Sequence, residues 1–433
     1  MRIYYNKLQF ITRVSVVLLL LCPIVAEARV YLDITSAGIR KIPAAVPYFI
    51  DKQRPDMPVS DGKEMAAILG KGLKFHGFIS LIDPLTYDGR HDSDWPKLGA
   101  EFIILGKYDH TSKNILLELR LVDIAEGRMV LGRRYRGAWS KRKTMALKFC
   151  DEVILKLSGE RGVSLSKISF VSDVSSYKEI FIADVLGEEI REVTKHQHLA
   201  VSPRFSPDGG SLSYTSYHRG NPDLYITDLT TNIKTTRAIS YRPGLNMAPS
   251  WHPDGKTMAI TISNEGNPDL YLMNIKGKIL RKLTSNAGIN VSPSWSPDGK
   301  KLAFVSDRSG TPQIYVMNVR TKTVKRITYQ GNYNTTPSWS PKGDSIAYAG
   351  SQGGVYQIFT IDPEGGQPFQ VTKTWGSHES PCWAPDGRQI VLSRKRNDKK
   401  EICSIFANGL GLRPLFRMKG NQSFPQWSPR LKM

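Results

Sequence analysis

A 44-residue period governs most of this 433-residue chain. The stretch SPSWSPDGKKLAFVSDRSGTPQIYVMN, Ser292 to Asn318, has counterparts that start at Ser202, Ala248, Thr336 and, in shorter form, Ser380. The marker aromatics Phe205, Trp251, Trp295, Trp339, Trp383 and Trp427 are spaced by 46 residues once and then by 44 each time. A fixed period of this size means a propeller or a solenoid, with each repeat one supersecondary unit stacked on its neighbours. Unrelated hairpins in a sandwich would not keep the spacing.

Within one period, Pro297-Asp298-Gly299 supplies a preset φ, a side chain that bonds local backbone, and a residue free to take positive φ. The chain reverses there, so Pro293–Trp295 and Lys301–Ser306 are hairpin partners. A second reversal at Asp307–Gly310 leads into Gln313–Asn318, and a third at Arg320–Lys322 leads into Thr323–Thr328. The apolar runs are short and rich in Val, Ile, Tyr and Phe, which favours strands. Four antiparallel strands per period make one propeller blade. KISFVSDVSSYKEIFIADV from Lys167 matches the later part of a repeat, and SFPQWSP around Trp427 matches the leading part. These complementary pieces predict a six-bladed β-propeller closed by pairing of its first and last strands, with no open sheet edge.

Ahead of the repeats the chain begins MRIYYNKLQFITRVSVVLLLLCPIVAEA. Arg2, Lys7 and Arg13 form a positive head, Val14–Val25 an apolar run too short to span a bilayer, and Ala26-Glu27-Ala28 a cleavage site. A secretory signal over 1–28 is expected, cut after Ala28, rather than an uncleaved anchor; Leu21 disfavours lipoprotein processing at Cys22. Residues 29–162 read as a small α/β domain. RVYLDIT and IPAAVPYFID are predicted strands, Asp61–Lys71 a helix, and residues 99–139 three strands. A last helix places Met145, Phe149, Val153, Ile154 and Leu157 on one face and stops at Gly159. The propeller is expected over 163–433.

Three basic residues and one acidic residue leave with the signal, which takes the formal charge of +21 to about +19. Such a balance attracts acidic surfaces, or is simply a solvated basic exterior. No nucleic-acid recognition motif is present, so nucleic acid is not an expected partner. Cys150, Cys382 and Cys403 remain, read as packing residues with a Cys382–Cys403 bridge as the alternative. No Cys/His cluster has zinc spacing, no G-x-S-x-G elbow occurs, and only Glu379 stands near a channel entrance, short of a carboxylate pair. Asp208, Asp254, Asp298 and Asp386 read as turn formers. No enzymatic activity, cofactor or metal is expected.

Signal, small α/β domain and six-bladed ring, in that order, resemble the TolB family, periplasmic propeller proteins of the Tol-Pal envelope system. The resemblance covers nearly the whole mature chain, and rests on DEVILKLSGERGVSLSKISFVS at the domain junction, the S/A-P-S-W-S-P-D-G repeats, the closing PQWSP and the early AAVPYF. It implies a non-enzymatic, monomeric periplasmic adaptor, without a membrane span after cleavage, that maintains outer-membrane integrity and supports cell division. The implied partners are a Pal-like peptidoglycan-associated lipoprotein at one propeller mouth and a TolA-like inner-membrane-linked protein at the mature N-terminus. The N-terminal contact falls on Arg29, Val30, Tyr31, Leu32, Asp33 and Ile34. Arg29, Arg40 and Lys41 depart from the acidic segment the family leads one to expect. The lipoprotein contact falls on the mouth opposite the Pro-Asp-Gly turns, at Leu245, Asn246, Met247, Asn290, Val291, Ser292, Thr335, Thr336, His378, Glu379 and Ser380. The competing reading is a propeller that binds or hydrolyses a peptide or glycan in its central channel.

Overall fold

The Pro-Asp-Gly turns set the geometry of the ring. In the repeat at Trp295, Ser296 Oγ donates to Asp298 Oδ1 at 2.6 Å and Lys300 N donates to the same oxygen at 3.0 Å. Gly299 at φ 70° lets its N–H reach Ser296 O. The aspartate is thereby consumed by its own turn, as the sequence implies for a turn former. The strands on either side, Asn290–Trp295 and Lys301–Ser306, pair antiparallel, followed by Gln313–Asn318 and a short outer strand Val324–Arg326.

This computed structural model describes residues 40–57, 59–231, 235–263, 266–285 and 288–431. The signal, its cleavage site at Ala28, the predicted strand RVYLDIT and the docking residues Arg29–Ile34 lie outside the described residues. Six four-stranded sheets follow one another around the ring. Blade 1 begins at Ala200, blade 2 at Leu245, blade 3 at Asn290, blade 4 at Tyr333 and blade 5 at Ser377. Blade 6 combines Gln422–Trp427 with Lys167–Ser172, Glu179–Asp184 and Ile190–Glu192; its first two strands pair antiparallel.

Both faces of each blade are buried, which is why KLAFV is apolar without alternation. Leu302 and Phe304 pack towards blade 2 against Ala259 and Leu270, while Ala303 and Val305 pack towards blade 4 against Trp339 and Ile346. The marker tryptophans tie blade to blade. Trp295 Nε1 donates to Ser250 O and Trp383 Nε1 to Ser338 O, both at 3.1 Å, and Trp251 Nε1 reaches Ser213 Oγ at 2.8 Å. The three thiols are free and buried, so the alternative Cys382–Cys403 bridge is not formed.

The N-terminal sheet runs in the order Ile79–Leu81, Ile42–Ala45, Phe102–His110, Asn114–Asp123, Arg128–Ala138, with Ile50–Asp51 added beside Phe102–His110. The predicted strand IPAAVPYFID is therefore two strands, interrupted where the chain turns at Val46–Phe49. Helices α1 (Ser60–Phe75) and α2 (Arg142–Ser158) pack on each other. On α2, Ala146, Phe149, Cys150, Val153 and Ile154 are buried, whereas Met145 and Leu157 sit at the margin of the face. Gly159 ends the helix at φ 75°.

A buried polar knot joins domain to ring. His76 Nε2 accepts from Val163 N at 3.0 Å, which leaves Nδ1–H to donate to Gly72 O at 2.8 Å. Asp151 Oδ1 accepts from Ser164 N, and a Cβ on Gly162 would strike both Asp151 and His76. Burial pushes the His76 pKa down and that of Asp151 up. Phe75 then lies against Trp427, and Arg413 stacks between Phe75 and Phe406 while donating to Phe75 O.

Ring closure makes the last strand indispensable. Truncation after Asn421 leaves the Lys167–Ser172 edge unpaired and exposes Ile168 and Phe170. The truncated protein is expected to lose its cooperative thermal transition and its monomeric elution, as read by circular dichroism melts and size-exclusion chromatography.

Candidate protein-docking site

Each innermost strand enters the ring through a bulge. Register shifts fall between Val201 and Arg204, Met247 and Ser250, Val291 and Ser294, Thr335 and Ser338, Glu379 and Cys382, and Ser423 and Gln426. In every blade one residue of the bulge is left-handed, with φ between 49° and 55°: Ser202, Ala248, Ser292, Thr336, Ser380 and Phe424. None is glycine and each precedes proline, a setting that disfavours helical backbone as well. For a β-branched residue such as Thr336 this conformation costs roughly 1–2 kcal/mol. Bulges re-aim side chains, and here six of them face one mouth.

The sequence-nominated residues divide into two sets. Leu245, Met247, Val291, Ser292, Thr335, Thr336, Glu379 and Ser380 are half-buried along the mouth. Asn246, Asn290 and His378 have no exposed surface and do not face a partner. Their work is internal. Asn290 Nδ2 donates to Asp269 Oδ1 and Gly288 O, and Thr284 Oγ1 donates to Asp269 Oδ1 while accepting from Leu270 N. One blade on, Asn334, Gln313 and Thr328 repeat the arrangement, and Asn246 bonds Ser240 Oγ and Arg242 O. These side chains satisfy the buried backbone of the loop that enters each blade and lash it to the third strand of the blade before.

Around this rim stands an apolar ring that the sequence reading missed. Tyr241 and Trp375 are each 67% exposed, and Leu199, Ile289, Tyr329, Tyr333 and Phe424 join them. Leu199, Tyr241, Ile289, Tyr329 and Trp375 lie on the loops that run from the outer strand of one blade to the inner strand of the next, whereas Tyr333 and Phe424 belong to the inner strands of blades 4 and 6. The signal was readable as an aromatic or aliphatic residue a few positions before most marker motifs, but its position varies and no exact repeat flags it. Single exposed apolar residues are ordinary, whereas a ring of them around one opening marks an interaction surface.

The opposite mouth is flanked by the N-terminal domain. Arg388 donates to Ser158 Oγ, Arg430 to Arg161 O, and Lys342 pairs with Glu160 at 3.2 Å. Lys71 pairs with Glu188 and Gln389 donates to Phe75 O, again at the turn face. The bulged mouth takes no part in these contacts. Among the described residues no helix is long and apolar enough to cross a membrane, and no group of three acids, histidines or cysteines is placed to hold a metal.

With this geometry in view, residues 154–431 match the family model of the TolB beta propeller domain and residues 30–130 that of the TolB amino-terminal domain. The Tol-Pal system protein TolB of Desulfotalea psychrophila is 47% identical over 221 residues, 51% of this chain and 50% of that protein. Its namesake from Desulfosudis oleivorans is 37% identical over 213 residues, 47% of this chain and 49% of that protein. The chain thus spans about half the length of the curated relatives it matches. The crystal structure of TolB from Acinetobacter baumannii aligns with a TM-score of 0.78 at 25% identity, covering 90% of this chain and 97% of that one.

His378 occupies the position that Asn246, Asn290 and Asn334 hold in other blades, and it titrates. Burial, reinforced by Arg394 and Arg396, pushes its pKa down to about 4. As pH falls below about 6.5 the unfolded chain takes up this proton first, so stability drains away down to about pH 4, by up to about 1.4 kcal/mol per pH unit. His378→Asn is expected to flatten that slope relative to the parent protein in unfolding curves collected from pH 7 to 4. Superimposable slopes would mean the imidazole is not held neutral.

Proposed function

The chain belongs to the TolB family, and from that premise we propose that it is a non-enzymatic periplasmic adaptor of a Tol-Pal envelope complex. In this reading the bulged mouth binds a Pal-like peptidoglycan-associated lipoprotein. The N-terminal segment from Arg29 to Ile34 serves a TolA-like inner-membrane-linked protein, and the assembly maintains outer-membrane integrity and supports cell division. The observation that carries the reading is the exposed apolar ring at the mouth the N-terminal domain leaves open. Tyr and Trp supply large rigid contact area at low entropic cost and dominate docking energetics.

Contacts are assigned to Leu245, Met247, Val291, Ser292, Thr335, Thr336, Glu379 and Ser380, extended by Tyr241, Tyr333 and Trp375. Asn246, Asn290 and His378 act behind them, fixing the loops that present the ring. Glu379 is the acidic member: its Oε2 lies 3.8 Å from Lys400 Nζ, a half-buried pair at the rim that a partner's cation could replace. The alternative, hydrolysis of a peptide or glycan in the channel, requires a general acid and base; the described residues at the turn-face end of the channel include neither a carboxylate nor a histidine.

Trp375→Ala is expected to weaken calorimetric binding of a purified Pal-like lipoprotein domain by about 30-fold or more, the loss of a typical hot-spot residue. Thr336→Arg should do the same by obstructing the rim. Full affinity in both folded variants would exclude this mouth.

A further inference from the structure

The turn-face end of the ring encloses a channel of about 420 Å³, walled by the marker tryptophans and by prolines 207, 253, 297, 341, 385 and 429. One step inside each marker aromatic, the six blades contribute Arg204, Ser250, Ser294, Ser338, Cys382 and Gln426. Arg204 is the one charged residue among the described residues of this lining. Arg204 is half-buried, and an arginine set into a ring wall is ordinarily matched by a carboxylate.

No such partner is at hand. Arg204 Nη1 donates to Pro203 O and to Gln426 Oε1, while its Nε–H and Nη2–H groups have no protein acceptor among the described residues. Gln426 is held in that orientation because its Nε2 donates to Cys382 Sγ at 2.8 Å. The thiol does not supply a counter-charge either: burial raises its pKa, so it stays neutral at physiological pH. The turn carboxylates face their own loops, as with Asp208, which accepts from Ser206 Oγ and Gly210 N. Two blades along the ring, Ser294 Oγ accepts from Trp339 N at 3.0 Å, and its own proton has no acceptor among the described residues.

We propose that this channel is an oxyanion site, in which the free fork of Arg204 takes a carboxylate or phosphate group and the Ser294 hydroxyl adds a hydrogen bond. A guanidinium with two adjacent free donors fits a two-oxygen acceptor, and the low-dielectric tryptophan and proline wall strengthens the pairing. Cations are disfavoured by the same charge. The site lies on the face away from the aromatic mouth, so it stands or falls independently of lipoprotein docking.

The test uses the whole mature protein with acetate, succinate and phosphate as probes, against chloride at matched ionic strength. At about a hundredfold excess over Kd, at least one oxyanion should raise the unfolding midpoint by about 2–4 °C. Calorimetric titration should show the same ligand saturating one site. Arg204→Met should abolish both effects; if that variant does not fold, Arg204→Lys, which keeps the charge but loses the fork, should weaken binding about tenfold. A short peptide tested with a free and with an amidated C-terminus separates the sources: binding of the free form alone points to a chain terminus, and binding of the free salts to a small anion. No oxyanion response beyond chloride, or an equal response in the Arg204 variants, overturns the proposal.

Discussion

The pairing of Gln422–Trp427 with Lys167–Ser172 is the constraint on which the rest of the ring depends. Each blade is apolar on both faces, so an open arc of blades would end in two bare hydrophobic sheets. Closure removes both at once: Ile168 and Phe170 on the early strand meet Val391 and Ile402 of blade 5, and Val171 and Ile180 meet Leu212 and Tyr214 of blade 1. Trp427, supplied by the very end of the chain, donates from Nε1 to Ser166 Oγ, just where the domain linker enters the ring. The closing strand therefore also anchors the N-terminal domain, since Phe75 of α1 packs on the same indole.

That anchoring gives the two ends of the ring different tasks. At the turn face Lys342 and Arg388, on the turns of blades 4 and 5, and Arg430 after the closing strand meet carbonyls, a hydroxyl and a carboxylate of the α2 terminus and linker. At the other face the entering loops are stiffened from within by the Thr–acid or Thr–amide–Asn bonds, and their outward side chains make none of these contacts with the N-terminal domain. Rigid loops with exposed aromatics would lose little entropy on docking, so in the proposed function the internal polar network supports the docking surface although it touches nothing outside. The strained bulges belong to the same design, because six left-handed residues in a row around a rim persist only where surrounding bonds over-determine them.

The repeat was legible because its information is apolar and periodic. Trp295, the Pro-Asp-Gly turn and the KLAFV run announce strand, turn and core by residue type alone, and the ring count follows from spacing. The residues at the rim of one mouth were legible in position along the chain but not in burial. Asn246, Asn290 and His378 sit at the predicted positions, yet polarity in a sequence does not say whether a group faces water or a buried carbonyl. The threonines at 284, 328 and 372 keep the same 44-residue period and could have exposed the network. The left-handed bulge had no glycine to betray it. In the N-terminal domain, Ile79–Leu81 is too short to register as a strand without its parallel partner Ile42–Ala45, and AAVPYF hides a break because both halves are equally apolar.

In a repeat protein the copies build the scaffold, and the departures from the repeat carry what is particular to it. The inner tier of this ring reads Ser, Ser, Ser over blades 2 to 4, then Cys382, Gln426 and Arg204 over blades 5, 6 and 1. Those three departures are neighbours at the closing seam, and they are bonded in sequence: Cys382 orients Gln426, and Gln426 orients Arg204. The other blades place serine at this tier, so a cation is not required for closure as such. The seam instead uses three consecutive blades to hold, through Nη1, one guanidinium that lines the channel. A structural role accounts for the bonds on Nη1; it leaves the orientation of Nε and Nη2 without a reason, and an anion supplies one.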